Sequence, residues 1–116
     1  MFTAFVIVTL VTIALNAAEA VANFARIRFV RNNIAQVGLP ESLLPLLGFC
    51  KGAGAVGLAL GMAGYRPIGV AAAVGLVAFF VCAVVAHIRA RVFYNFAGPL
   101  LFLGLSVATL WLMLAH

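Results

Sequence analysis

Four long apolar runs, separated by short connections, constrain the fold of this chain more than any other feature of its sequence. The runs cover about residues 3–25, 42–63, 67–88 and 96–115. Each holds about 20 residues, the length at which a helix crosses the ~30 Å hydrocarbon core of a bilayer. Across the chain 67% of residues are hydrophobic and 8% are charged, whereas a soluble domain has about 25% charged residues. The chain is therefore predicted to cross a membrane four times.

The predicted fold is an all-α integral membrane four-helix bundle, formed by a single domain over residues 1–116. Backbone polar groups in lipid must find partners within the protein, and helices or closed barrels alone achieve this. The runs are continuous and rich in Ala, Leu, Gly and Val, whereas barrel strands alternate apolar and polar residues. Helices are therefore favoured, with the lipid bilayer as the main partner.

The arginines predict the orientation of the bundle. The first and third connections, residues 26–41 and 89–95, hold five arginines, whereas the second connection holds Arg66 alone. Cytoplasmic loops are enriched in Lys and Arg, so these two loops are expected in the cytoplasm and both termini outside, as in a bacterial inner membrane. The half-polar stretch Arg28–Gln36 is expected to lie along the cytoplasmic surface. Nucleic acid is not an expected partner, because the basic residues flank membrane helices and no binding module is present.

Polar residues recur along one face of the first predicted helix. Their 3,4,3,4 spacing places them on a single stripe, which is expected to point inward because polar groups facing lipid are costly: Thr9, Thr12, Asn16, Glu19 and Asn23. The threonine hydroxyls are expected to bond to the backbone of their own helix.

Glu19 and Lys51 are charges of opposite sign placed within membrane-spanning runs. A charge near the bilayer centre costs on the order of 3 kcal/mol even on the lenient insertion scale. Both are therefore expected to face the bundle interior, either paired or bridged by water or a ligand. Glycines near Lys51 are expected to leave room for such a ligand.

Several other polar groups are expected at a similar depth in the cytoplasmic half. The candidate catalytic residues are Glu19, Lys51 and His87, and the candidate ligand-binding residues are Asn16, Asn23, Tyr94 and Asn95. Glu19 would act as an acid, base or anchor, Lys51 as its partner or as a binder of an oxyanion, and His87 as a proton shuttle.

A stripe of small residues on the second predicted helix favours close helix packing, either within the bundle or between protomers of a homo-oligomer. It comprises Cys50, Ala53, Gly57, Gly61 and Gly64. Cys50 and Cys82 are expected to be small buried packing residues, since no CxxC motif is present. No metal site is predicted, and the residues indicate no particular cofactor.

Four segments together resemble the DoxX-like family: NAAEAVANF at 16–24, VGLPES at 37–42, KGAG at 51–54 and AHIR at 86–89. The family takes its name from a small membrane subunit associated with a thiosulfate:quinone oxidoreductase, and most members have no assigned activity. The resemblance implies a four-helix membrane bundle and hints at redox chemistry. More distant four-helix relatives include a sterol isomerase and membrane chaperones, so the fold does not decide the function.

Three functions remain open from the sequence. The first is a site for a small lipophilic ligand such as a quinone, isoprenoid, steroid or epoxide, since the helices offer apolar walls with few polar groups. The second is an accessory subunit of a larger membrane complex that docks through the small-residue stripe. The third is a membrane chaperone or scaffold. The alternative role for Glu19 and Lys51 is structural, as an ion pair between two helices.

Overall fold

The computed structural model describes residues 2–91 and 97–115, with the backbone alone described at Phe29. Within these residues the chain is helical apart from short turns, and a short 3-10 turn at Glu41–Leu43 leads into the third helix. The α-helices are α1 (Phe2–Ala25), α2 (Arg28–Gln36), α3 (Leu44–Met62), α4 (Arg66–Ala90) and α5 (Ala97–Ala115).

Four helical segments are long and apolar enough to cross a membrane: Phe2–Ala25, Glu41–Met62, Arg66–Ala90 and Ala97–Ala115. Their ends agree with the predicted runs to within two residues. The prediction of an all-α membrane bundle is confirmed. The ends agree because the apolar run sets the length of each span.

The four long helices form a closed ring. The first, α1, packs against α3 and α5, and α4 packs against the same two helices. Successive long helices run in opposite directions, the up-and-down order common in four-helix bundles, and the connection from α1 to α3 contains the short helix α2. Large apolar side chains cover the outside, with Phe49 64% and Trp111 61% exposed, while six polar side chains of the described residues are buried inside. This distribution suits a bundle surrounded by lipid.

Glycines bring α3 and α4 into close contact. A Cβ added at Gly57 would lie 2.5 Å from the Cβ of Ala72, and one at Gly61 would lie 2.5 Å from the Cα of Gly69. The predicted packing role of Gly57 and Gly61 is therefore confirmed, and both glycines pack within the bundle.

The other members of the small-residue stripe do not join this contact. Cys50 and Ala53 are exposed on the outer surface. Gly64 instead forms the turn after α3 with φ of +117°, a conformation that glycine adopts without strain. The N–H groups of Gly64 and Tyr65 bond to the carbonyl oxygens of Gly61 and Leu60, which satisfies the end of the helix.

The short helix α2 is held against the end of the bundle. Val30 and Ile34 on its inner face are each 5% exposed and pack against Leu44. On its outer side, Arg31 forms a solvent-facing ion pair with Glu41 at 3.0 Å. The turn into α2 places Arg26 at φ +53°, where it ends α1 with the same bonding pattern that Gly64 gives to α3.

Candidate functional site

The candidate site centres on Lys51, which lies in the middle of the inward face of α3. Buried residues on either side of it recur at helical spacing: Gly48, Gly54, Ala55 and Leu58. The Lys51 side chain is 12% exposed. The prediction that Lys51 faces the bundle interior is confirmed.

Glu19 of α1 is the charged partner of Lys51. The Lys51 Nζ lies 3.9 Å from the Glu19 Oε1, and the Glu19 side chain is 25% exposed. Direct N–H···O hydrogen bonds span about 2.7–3.2 Å, so the two groups attract each other across a separation longer than a direct hydrogen bond. The prediction that Glu19 and Lys51 lie close together inside the bundle is confirmed.

The helix α4 also contributes a side chain next to the Lys51 ammonium group. The Lys51 Nζ lies 5.7 Å from the centroid of the Phe79 ring of α4. This distance is within the ~6 Å at which the negative face of an aromatic ring attracts a cation. The charge of Lys51 is therefore held between a carboxylate on α1 and an aromatic face on α4.

Asn23 joins α1 to α3 one helical turn beyond Glu19. Its amide satisfies donors and acceptors when the nitrogen donates to the Glu19 carbonyl oxygen at 3.0 Å and the oxygen accepts from the Gly48 N–H at 3.2 Å. In the opposite orientation the nitrogen donates to the Leu44 carbonyl oxygen at 3.3 Å. At 1% exposure, Asn23 fixes the contact between the two helices beside the ion pair.

Asn16 lies one turn from Glu19 on the other side and is 1% exposed. Its Nδ2 donates to the Thr12 carbonyl oxygen at 2.9 Å. Its Oδ1 is buried and has no hydrogen-bond partner among the described residues. Asn16 thus brings an acceptor into the core next to the charged pair.

The glycines near Lys51 do not leave room as predicted. A Cβ at Gly48 would lie 2.9 Å from the Cβ of Asn23, and one at Gly54 would lie 2.6 Å from a methyl carbon of Leu76. That expectation is wrong, because neighbouring side chains fill the space that the glycines provide. The glycines instead let α1 and α4 approach α3 closely.

His87 lies nearer the end of α4 than the ion pair. It is eight residues beyond Phe79, or about 12 Å along the helix. Its Nδ1 lies 2.9 Å from the Ala83 carbonyl oxygen. A role for His87 at the site stays a prediction. The candidate residues Tyr94 and Asn95 lie outside the described residues.

Two polar residues of α5 join the core, and neither was predicted from the sequence. Ser106 and Thr109 are fully buried. The Thr12 hydroxyl donates to the Val8 carbonyl oxygen at 2.8 Å, which confirms the predicted backbone bond for this threonine. A hydroxyl carries one proton, so Thr109 donates in the 3.0 Å contact that joins its hydroxyl to that of Thr12. Ser106 and Thr109 are three residues apart in an apolar run, and this spacing was the signal in the sequence that they share a face.

The cysteines lie outside this core. Both Cys50 and Cys82 are free and exposed, so the prediction that they are buried packing residues is wrong. Cys50 precedes the inward Lys51 by one residue, and a helix turns about 100° per residue, which carries Cys50 off the buried face. Among the described residues, no group of three or more His, Cys, Asp or Glu side chains could hold a metal ion.

A shallow groove of about 520 Å³ runs along the outer face of α3, away from Lys51. Its walls are apolar and include Phe24, Phe49, Val56 and Ile68. The groove has no charged lining residue, so we place the candidate chemistry at the smaller interior cluster around Lys51.

Four antiparallel apolar helices around a buried polar core, with an ion pair inside the spans, define a small multi-pass integral membrane protein. The chain belongs to the DoxX-like family, whose model matches residues 7–109. The matched segment contains the ion pair and every buried polar residue described above. Comparison with curated proteins and with solved structures gives no match.

Proposed function

We propose that this DoxX-like protein binds a small lipophilic ligand at the intramembrane polar site formed by Glu19 and Lys51. Lys51 donates a hydrogen bond to an oxygen of the ligand, and Glu19 accepts one from a ligand hydroxyl or exchanges a proton with it. Asn16 and Asn23 flank the pair. His87 shuttles protons between the pair and the cytoplasmic surface, and Tyr94 and Asn95 are further candidate ligand-binding residues.

The observation that supports this proposal is the geometry of the buried ion pair. At 3.9 Å the ammonium and carboxylate are close enough to attract but too far apart for a direct hydrogen bond. A pair kept for structure alone gains most from direct contact, since desolvation opposes it. A single hydroxyl group placed beside both groups can accept from Lys51 and donate to Glu19.

The chemistry of the surroundings indicates the ligand class. Phe79, Leu76 and Leu58 border the Lys51 side of the core, so the ligand must be largely apolar with one or two oxygen atoms. Side chains fill the space at Gly48 and Gly54. The polar end of the ligand alone therefore reaches the pair, while its apolar part lies between helices or in lipid. Quinones, isoprenoid alcohols, sterols and epoxides meet this description.

We propose that the site lies in the cytoplasmic half of a bacterial inner membrane, with the arginine-bearing connections in the cytoplasm and the termini outside. Alternating helices put Arg26, Arg28 and Arg31 at the same end of the bundle as Arg89 and Arg91. Five arginines at one end and Arg66 at the other give the charge bias that sets orientation.

A double-mutant cycle tests the pair. Glu19→Gln and Lys51→Met should each lower stability by about 3–5 kcal/mol, because each leaves one charge buried without its partner. The double variant should regain stability and yet lose the ligand. Glu41→Gln is the matched control, since Glu41 is the other acid in the chain and is half-exposed.

The ligand itself is sought by purifying the protein in mild detergent and analysing co-purifying lipids and proteins by mass spectrometry. A lipophile retained by the wild type and lost in the double variant supports the proposal. Equal retention by both proteins contradicts it. A stoichiometric protein partner without a lipophile would instead indicate an accessory subunit, although α4 already covers Gly57 and Gly61 of the expected docking stripe.

A further inference from the structure

A line of buried hydroxyl and amide groups continues from the ion pair toward the opposite end of the bundle. We call these five side chains, each at most 1% exposed, the polar seam: Thr9, Thr12 and Asn16 of α1 with Ser106 and Thr109 of α5. Along α1 the steps from Glu19 to Asn16, Thr12 and Thr9 are about 4.5–6 Å each. One water molecule or one hydroxyl between neighbours spans such a step.

The hydrogen bonds of the seam leave two buried acceptors open. Thr12 and Thr109 are bonded to each other, and Ser106 donates to the Phe102 carbonyl oxygen at 2.8 Å. The Oγ1 of Thr9 and the Oδ1 of Asn16 are buried and have no partner among the described residues. Buried polar atoms in folded proteins are satisfied by the protein or by internal water. The two open atoms lie on either side of the Thr12–Thr109 contact, where water would complete the line.

One end of the seam reaches a carboxylate that can exchange protons, and the other end reaches a cavity that can hold water. At one end lies Glu19, which is 25% exposed and about 9 Å from the end of α1. At the other end, Phe5 and Met113 lie one turn beyond Thr9 and Thr109. These two residues line a cavity of about 180 Å³ together with Gly61 and Arg66. A water molecule occupies about 30 Å³ in the liquid, so this cavity has room for several.

We infer that the polar seam conducts protons between the cavity beside Arg66 and the carboxylate of Glu19. Each hydroxyl or water oxygen accepts a proton from one neighbour and releases another to the next, so no bond to carbon changes. The Asn16 amide passes no proton itself; its Oδ1 accepts a hydrogen bond from the water that does. At the end of the seam the Glu19 carboxylate takes up the proton as a carboxylic acid and later releases it to the Arg31 side. The inference rests on the proposed function in one respect, that Glu19 exchanges protons.

The experiment measures proton entry into vesicles that contain the purified protein and an entrapped pH-sensitive dye, with a potassium diffusion potential as the driving force. Wild-type vesicles should change internal pH faster than protein-free vesicles. Thr12→Val with Thr109→Val removes both hydroxyls of the central contact and keeps their shape, so the flux should fall to the protein-free rate.

Two controls separate proton transfer from folding. Thr12→Ser with Thr109→Ser keeps the two hydroxyls and instead removes the two methyl groups, and it should retain the flux. Thr3→Val removes an exposed hydroxyl from the same helix and should change nothing. If the valine pair fails to fold, Thr9→Val provides the second test, because Thr9 has no described partner to lose.

Several outcomes would overturn the inference. It fails if wild-type vesicles pass protons no faster than protein-free vesicles, or if the valine and serine pairs conduct equally. A protein that retains its lipophile but shows no flux refutes the seam and leaves the proposed function standing. A protein that conducts protons but holds no lipophile refutes the ligand site and leaves the seam standing.

Discussion

Gly61→Ala is the sharpest test of how this bundle is packed. A Cβ at Gly61 would lie 2.5 Å from the Cα of Gly69 and 3.1 Å from the Cε of Met113. Non-bonded carbon atoms rest at about 3.5–4.0 Å, so α3 and α4 would have to separate by about 1 Å or more. The nearest obstructing atom belongs to the backbone, and no side-chain rotation can move it aside.

The expected loss follows from this displacement. Overpacking a well-filled interior by one methyl group costs about 1–3 kcal/mol. Separation at Gly61 also loosens the contact between Gly57 and Ala72 one turn away, which places the expected loss in the upper part of that range. The free energy of unfolding would be measured by titrating the folded protein in mild micelles with a denaturing detergent. The fluorescence of Trp111, the single tryptophan, serves as the signal.

Gly75→Ala is the matched control because it makes the same chemical change on the partner helix α4. A Cβ at Gly75 would meet no described atom within 4 Å. Replacing glycine by alanine inside a helix gains up to about 0.5–1 kcal/mol when no contact is disturbed. The two substitutions should therefore change stability in opposite directions. If Gly61→Ala proves as stable as Gly75→Ala, the close approach of α3 and α4 deduced here is wrong.

Two further predictions concern the ends of the bundle. In a variant without native cysteines, Asn33→Cys should react with a membrane-impermeant thiol reagent in opened cells but not in intact ones, and labelling from outside would contradict the proposed orientation. Arg66→Ala should lower stability by about 0.3–1 kcal/mol, because the guanidinium donates to the Leu114 carbonyl oxygen at 2.7 Å at the C-terminus of α5. Arg28→Ala, which removes an exposed arginine at the other end, is the control, and an equal loss there would show that the Leu114 contact contributes nothing.

The sequence predicted the four spans and the inward polar groups because both follow from the properties of a bilayer. Hydrocarbon thickness sets the length of each apolar run, and the cost of polar groups in lipid decides which side chains turn inward. Thr9, Thr12, Asn16 and Asn23 are buried as their spacing predicted. The pairing of Glu19 with Lys51 followed from the same cost, since two opposite charges in one small bundle gain by meeting.

The tertiary structure decided which glycines are packing sites and which polar groups meet. The space beside Gly61 is occupied by α4, whereas a Cβ at Gly75 or Gly104 would meet no described atom within 4 Å. Sequence could not separate these glycines, because spans that are apolar on every side carry no signal for which face meets which neighbour.

The same ambiguity is why the sequence did not predict the hydrogen bond between Thr12 and Thr109, which are 97 residues apart in the chain. It also led to two wrong predictions, that Cys50 is buried and that Gly48 and Gly54 leave space for a ligand. Those assignments depend on the rotation of each helix about its own axis. Inside a membrane that rotation is set by contacts between helices, because lipid solvates every apolar face equally well.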